Sequence, residues 1–401
     1  MSSSNILELY DDCLNYIFDL LPTQDRISFA QVCTRFRHIF VSQCGSRYRE
    51  YTLDDNSSRE QLIEFCTCRE VVQTFTIDLD LFDNTINTIA PTTHYDILLS
   101  ALKGMHQLEY LTVKQVKILV TIIDRPFDQI LSAVRQLEGL RRLEIQAIFD
   151  CSVERLSELQ HLEELHLHIP QIASPTLVKC CKSNSSLRSL HLGYGCVQRN
   201  LCDIVPHCKN LEVFKFGMTA ESSAYRALAR LPKLRQLTHF GIRRADSFEP
   251  LLSSLADRPQ LLHLDIDGGS ISLAETRQLI RLQSLVHLKC FCSTVQCVAM
   301  LARLSQLEEL CLWMSSPLDV SDALLGIVAS CGRLKLLRLA VGNVNKDFFS
   351  KATELSRSKK IAMGAIQEPP LKLEIPMACQ KQTIAAENFS IERELNTWTT
   401  F

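Results

Sequence analysis

The sequence contains no CxxC pair, no HExxH or GxSxG string and no glycine-rich phosphate loop. Closely spaced thiol pairs are the ordinary zinc signature, so a structural zinc site is not expected. The metalloprotease and serine-hydrolase signatures are missing as well. Gly193-Tyr194-Gly195 alone does not make a phosphate cradle. No apolar run approaches the length of a membrane span, so no membrane partner is expected. The opening MSSSNILELYDD lacks a basic start and an apolar core and is not read as a signal peptide. An excess of either charge is lacking too. Lys and Arg number 43 against 45 Asp and Glu, which leaves −2, so no nucleic-acid face is expected. Lysine itself is absent until Lys103.

Cysteine, by contrast, is plentiful, with 17 in 401 residues. The cysteines occur singly or as close pairs such as Cys66/Cys68, Cys180/Cys181 and Cys290/Cys292. A long chain that is not secreted keeps its thiols reduced. Most therefore read as small core hydrophobes. The length exceeds what one compact core usually holds, so two or more domains or an elongated repeat are expected.

Near the N-terminus, Leu14, Ile17, Phe18 and Leu21 fall at i, i+3, i+4 and i+7, one apolar stripe on a helix. Asp11 and Asp12 suit its start, and Pro22 stops it. Asp25 falls in the first turn of a second short helix carrying Ile27, Phe29, Ala30 and Val32, and Phe36, Ile39 and Phe40 supply a third. Three such helices cannot bury all these groups alone, so an apolar face remains for another protein. The run Leu9, Asp11-Asp12-Cys13-Leu14, Ile17-Phe18, Leu20-Leu21-Pro22, Asp25, Val32-Cys33, Phe36 resembles an F-box. Tyr10 stands where the family usually has proline. The resemblance implies docking on the Skp adaptor of a cullin-based ubiquitin ligase. Leu14, Ile17, Phe18, Leu21, Pro22, Val32 and Phe36 would then supply the interface or its support. A small helical cap packed on the next domain is the plainer alternative.

Further along, an apolar-x-x-apolar-x-apolar motif recurs. Its copies include Leu140-Leu143-Ile145, Leu162-Leu165-Leu167, Leu187-Leu190-Leu192, Leu211-Phe214-Phe216, Leu237-Phe240-Ile242, Leu261-Leu264-Ile266, Leu285-Leu288-Cys290, Leu307-Leu310-Leu312 and Leu334-Leu337-Leu339, at steps of 22 to 27 residues. Val72-Phe75-Ile77 and Leu108-Leu111-Val113 are looser early copies. This spacing resembles leucine-rich repeats. The alternating tail of each motif predicts a short strand with its leucines turned inward. Segments such as 295–304 predict helices behind the strands, with Val295, Val298, Ala299 and Leu304 inward. The predicted fold is α/β: a three-helix F-box over 1–44, a connector over 45–71, a horseshoe of repeats over 72–378 with parallel strands on its concave face, and a tail over 379–401. The Asn or Cys that usually follows each strand is irregular, so the repeat subclass stays open. In the tail, Ile391, Leu395 and Trp398 predict a helix that docks on the repeats.

Alternation turns the residues between the leucines toward the concave wall. His166, His191, His239, Arg243, His263, His287, Phe291 and Trp313 are the residues expected there to meet a protein substrate. The His239-His263-His287 column has no clearly convergent acid or thiol, so neither a metal nor any other cofactor is expected. The likeness as a whole implies a non-enzymatic adaptor in the cytoplasm or nucleus. It would hold an unknown protein substrate on its repeats and the Skp adaptor, with its cullin, on its F-box. A repeat scaffold or inhibitor without ligase recruitment is the alternative. If the ligase reading holds, the lysine-free start would limit self-modification; arginine's preference for paired contacts is the plainer reading.

Overall fold

A computed structural model describes residues 6–82, 91–117, 124–197, 201–217, 222–241, 247–256, 258–314, 318–362 and 371–374. The chain divides into two compact units, Met1–Val197 and Gln198–Phe401. Arg243, Ile242 and the predicted tail helix lie outside the described residues.

The first unit begins with α1 (Asp11–Leu20), α2 (Thr23–Val32) and α3 (Thr34–Cys44). Asp11 and Asp12 occupy the first turn of α1, where the helix dipole favours negative charge. Arg35 on α3 pins the entry to α1, donating to the Leu7 and Leu9 carbonyls at 2.7 and 2.6 Å and pairing with Asp11. Leu14, Phe18, Phe36, Ile39 and Phe40 close the small core. Residues 45–71, read from the sequence as a connector, contain β1 (Glu50–Leu53) and α4 (Arg59–Cys68). Ser58 and Gln61 form a capping box at the start of α4. There follow β2 (Thr74–Asp78), α5 (Pro91–Lys103), β3 (Tyr110–Gln115), α6 (Pro126–Val134), β4 (Arg142–Ala147), β5 (Glu164–His168), α7 (Ser174–Ser183) and β6 (Ser189–Leu192).

Rings join the first three helices to the first strands. Phe29 stacks on Phe36, and Phe18 meets Phe29 and Phe40. From Phe40 the contacts run to Tyr48, Tyr51, Phe65 and Phe75 on β2, with ring centroids 4.5 to 6.3 Å apart. Tyr48 donates to Glu64 at 2.6 Å and Tyr51 to the Gln61 carbonyl at 2.8 Å. Such pairs add to the stabilisation from area burial alone.

The second unit carries β7 (Val213–Gly217), β8 (Gln236–Phe240), α8 (Glu249–Leu255), β9 (His263–Ile271), α9 (Leu273–Leu279), β10 (His287–Cys292), α10 (Val295–Met300), β11 (Glu309–Met314), α11 (Ser321–Ser330), β12 (Leu336–Val341), α12 (Phe348–Ala362) and β13 (Lys372–Glu374). In each unit the strands are parallel and pair in sequence order, β1 to β6 and β7 to β13. The motif leucines align across them: Leu143 lies beside Leu165, Leu165 beside Leu190, Leu288 beside Leu310. All are buried between strand and helix. Burying one such side chain contributes roughly 1.5–3 kcal/mol. Of the four residues expected inward, Val298 on α10 and Leu304 beyond it are buried, Val295 is half-buried and Ala299 is exposed.

The copy read as Leu237-Phe240-Ile242 is corrected by the strand register. Gln236 pairs with His263 and Leu237 with Leu264, so the copy is Leu234-Leu237-His239. His239 takes the third leucine's place and is only 3% exposed. Its ring packs edge-on against Phe216 and Phe248, with centroids at 5.8 and 4.8 Å. It is a core residue, not a wall residue. Register also slips after Ile266, so that Phe291 pairs with Ser270 while residues 267–269 bulge outward. Gly268 has φ +96°, and a Cβ there would sit 1.5 Å from the Gly241 carbonyl oxygen, so only glycine fits.

The irregular ladder is replaced by single buried polar groups, each tying one repeat to the next. Asn184 accepts from the Leu162 N–H at 2.8 Å and donates to the Leu159 and Cys180 carbonyls at 3.0 and 2.9 Å. Asp128 accepts from the Ser152 hydroxyl and the Arg155 N–H. Asp80 accepts from the N–H groups of Val116 and Lys117, and Glu275 from those of Phe248 and Ser272. Replacing Asn184 with Ala strands the buried Leu162 N–H and the Leu159 carbonyl, while the Cys180 carbonyl keeps the backbone N–H of residue 184. We expect a loss of about 2–4 kcal/mol, read as a lower urea midpoint, where Ser157→Ala on the surface moves it little.

Candidate functional site

Two surfaces are candidates. On the helices that open the chain, burial sorts the predicted residues into two groups. Leu14, Phe18 and Phe36 are core; Ile17 and Leu21 are half-buried; Pro22 and Val32 are exposed. The first group holds the shape, and the others can touch a partner. The sequence reading missed Tyr10, Tyr16 and Leu20, which are 83%, 69% and 68% exposed, beside Val32 at 66%. Ile6 and Leu7 are also exposed. Large apolar groups exposed on so small a module make it a candidate interaction site. Tyr16 and Leu20 lie four apart on α1, a signal readable in the sequence once the buried stripe is assigned.

The second surface is the sheet face opposite the leucines, and it is described separately in each unit. In the first unit His166 and His191 lie on neighbouring strands and stack face to face at 3.8 Å. The stack leaves His166 only 7% exposed. Arg142 and Glu144 flank it: Arg142 pairs with Glu144 at 3.2 Å and Glu164 at 3.5 Å, and Glu144 lies 3.7 Å from His166. The His166 imidazole beside it, helped by Gln146 and Arg142, holds the Glu144 carboxyl down to about 2 despite its burial.

In the second unit His263 and His287 stack at 5.7 Å. His287 bridges two carboxylates, Asp265 at 3.0 Å and Glu309 at 3.0 Å. The bond to Asp265 raises the imidazole's pKa; burial opposes it, and Glu309 adds to the rise. Burial pushes Asp265 up, but His287, Thr238 and Lys289 together hold it below its ordinary value. Further along these strands Phe291 stacks on Trp313 at 5.4 Å, and the Lys289 ammonium lies 5.0 Å from the Trp313 ring. Lys289 also pairs with Asp267 on the bulge at 3.4 Å. The structure thus brings together His263, His287, Phe291 and Trp313, removes His239 to the core, and places His166 with His191 in the other unit.

These groups are charges paired with one another, beside half-buried rings. Such a face offers shape and complementary charge to a partner that would meet it. Among the described residues no group of three His, Cys, Asp or Glu is arranged to hold a metal. Among them, too, no helix is long and apolar enough to cross a membrane.

Comparison with known proteins adds one domain and one fold likeness. The family model described as "F-box domain" matches residues 6–46. No curated protein matches the chain. Among solved structures, an internalin from Listeria monocytogenes is similar at 16% identity and a TM-score of 0.40, over 63% of this chain and 81% of that one.

The His287 bridge makes a pH prediction. Its raised pKa means the imidazole's contribution is full below the unfolded value and is lost as pH rises through the higher folded value. Asp265, lowered, contributes above its unfolded value and loses that contribution as pH falls through the folded one. His287→Gln should therefore destabilise more at about pH 6 than at about pH 9. Urea midpoints of both proteins at the two pH values check it; an equal loss at both would show the bridge to be inert.

Proposed function

The chain is an F-box protein with leucine-rich repeats, and on that basis we propose that it is the substrate-recognition adaptor of a Skp-cullin ubiquitin ligase. The observation that carries the reading is the apolar surface of Tyr16, Leu20 and Val32, left uncovered by a module whose own core is already closed. The Skp-family adaptor covers that face, and through it a cullin is recruited. The substrate is a protein held on the sheet face, with the Phe291–Trp313 pair as anchor and Lys289, His287 and their carboxylates setting register. No group of this chain performs chemistry in this reading. Its contribution is effective concentration, keeping the substrate near the charged ubiquitin carrier. The aromatic run from Phe18 to Phe75 supports it, because it makes the adaptor face and the first strands one packed body.

Two substitutions separate the two surfaces. Leu20→Asp with Val32→Asp changes exposed groups only, so the helices should stay folded. Binding to a purified Skp adaptor should weaken by about 30-fold or more, equivalent to roughly 2 kcal/mol. Calorimetry showing unchanged affinity would remove the ligase reading and favour a scaffold. Lys289→Glu with Trp313→Ala should leave the adaptor bound and lose the proteins that co-purify with the chain. Retention of those proteins by a folded variant would place recognition away from this face.

A further inference from the structure

A second pocket-like feature lies where the first three helices meet the first repeat helices. It is a cavity of about 380 Å³ bounded by residues of α2, α3, α4 and α5 and by Arg69, just after α4. Three arginines, Arg37, Arg59 and Arg69, line it together with His94, and no Asp or Glu does. Another cavity in the same unit, about 520 Å³, is different. Its lining carries both signs, closed by pairs such as Arg155–Glu158 at 3.1 Å and Arg125–Glu154 at 3.6 Å.

The three arginines are not used by the fold. Among the described residues neither Arg37 nor Arg59 makes an ion pair or a side-chain hydrogen bond, and Arg69 makes one bond, to the Cys66 carbonyl at 3.3 Å. Glu60, next to Arg59, is exposed and does not line the cavity. The Nε atoms of Arg37 and Arg69 are buried and have no acceptor. Guanidinium groups partly removed from water without a counter-ion are costly. An anion in the cavity would offset that cost. Arginine's planar fork matches phosphate oxygens, and three fixed positive charges suit a dianion better than a monoanion. Leu62, Ile63, Cys66 and Ile97 make the apolar part of the remaining wall, beside Gln31 and Thr67. Ile63 and Ile97 are 39% and 41% exposed, so an inorganic ion alone would leave that apolar part in water. The volume matches a ligand of about one residue or one aromatic ring.

We propose that this cavity binds a phosphate monoester with an apolar body. The phosphate meets Arg37, Arg59 and Arg69, and the organic part covers Ile63 and Ile97. The lining shares no residue with either surface assigned above. The phosphate's source is either a phosphorylated side chain of a partner protein or a free small molecule.

Calorimetry on the full chain with phenyl phosphate tests it. We expect one saturable site, weakened at least about tenfold by Arg59→Gln or Arg69→Gln and weakened by added salt. Arg59 is exposed, so the first variant keeps the fold should the second fail to. Inorganic phosphate and benzoate should each bind at least about tenfold more weakly than phenyl phosphate. A phosphotyrosine peptide that displaces phenyl phosphate at lower concentration than phosphotyrosine itself assigns the source to a protein; equal potency assigns it to a small molecule. No saturation by about 10 mM phenyl phosphate, equal binding by benzoate or inorganic phosphate, or unchanged affinity in the folded Arg59→Gln protein would overturn the proposal.

Discussion

One hydrogen-bond arrangement sets everything else in both units. At the entry to β2 through β6 and to β8 through β12, one carbonyl of the preceding repeat accepts from two successive N–H groups. The Arg49 carbonyl takes those of Gln73 and Thr74; that of Gln73 takes Glu109 and Tyr110; that of Glu109 takes Arg141 and Arg142. In the second unit the Leu262 carbonyl takes Val286 and His287, and that of Val286 takes Glu308 and Glu309. This double acceptor fixes the starting residue of each of these strands. Because side chains alternate with a period of two, a slip of one residue would turn each motif leucine outward and each wall histidine inward. The lock therefore decides which residues are core and which are wall.

With strands fixed, the segments behind them need only bridge a set distance, and they do so unevenly. Some are full helices, such as α7 and α11; others are short 3-10 turns, such as 154–158 and 222–230. An unbroken asparagine ladder requires repeats of one length. Here the steps vary, so Asp80, Asp128, Asn184 and Glu275 each satisfy backbone N–H groups of a neighbouring repeat at a different place. A buried N–H needs an acceptor but not always the same one. The thiols complete this irregular packing: Cys331 donates to the Leu304 carbonyl at 3.2 Å, and Cys290 and Cys292 lie buried 4.0 Å apart. Among the described residues no cysteine forms a disulfide.

In the first unit the F-box continues the packing of the repeats rather than hanging from a tether. Tyr48 and Tyr51 hold one face against rings and send their hydroxyls to Glu64 and the Gln61 carbonyl on α4. Residues 45–71 read as a polar connector because β1 is short and Asp54 to Ser58 interrupt the apolar pattern. Their pairing with β2 is non-local, and a four-residue strand has too little alternation to announce itself.

The sequence by itself determined the repeats, the inward leucines and the three opening helices, because each rests on a short periodic pattern that local chain geometry must obey. The face residues His263, His287, Phe291 and Trp313 were legible for the same reason. The tertiary structure alone decided the rest. Leu234-Leu237-His239 and Leu237-Phe240-Ile242 compete as copies in the same stretch, and only pairing with β9 selects the first and buries His239 between Phe216 and Phe248. The bulge at 267–269 follows from the close approach of Gly268 to Gly241. Which apolar residues of the F-box are spare depended on what its core had already taken. The basic cavity joins residues far apart in sequence, from Arg37 to His94. Local periodicity specifies faces; only the packing of distant segments specifies what those faces are left to meet.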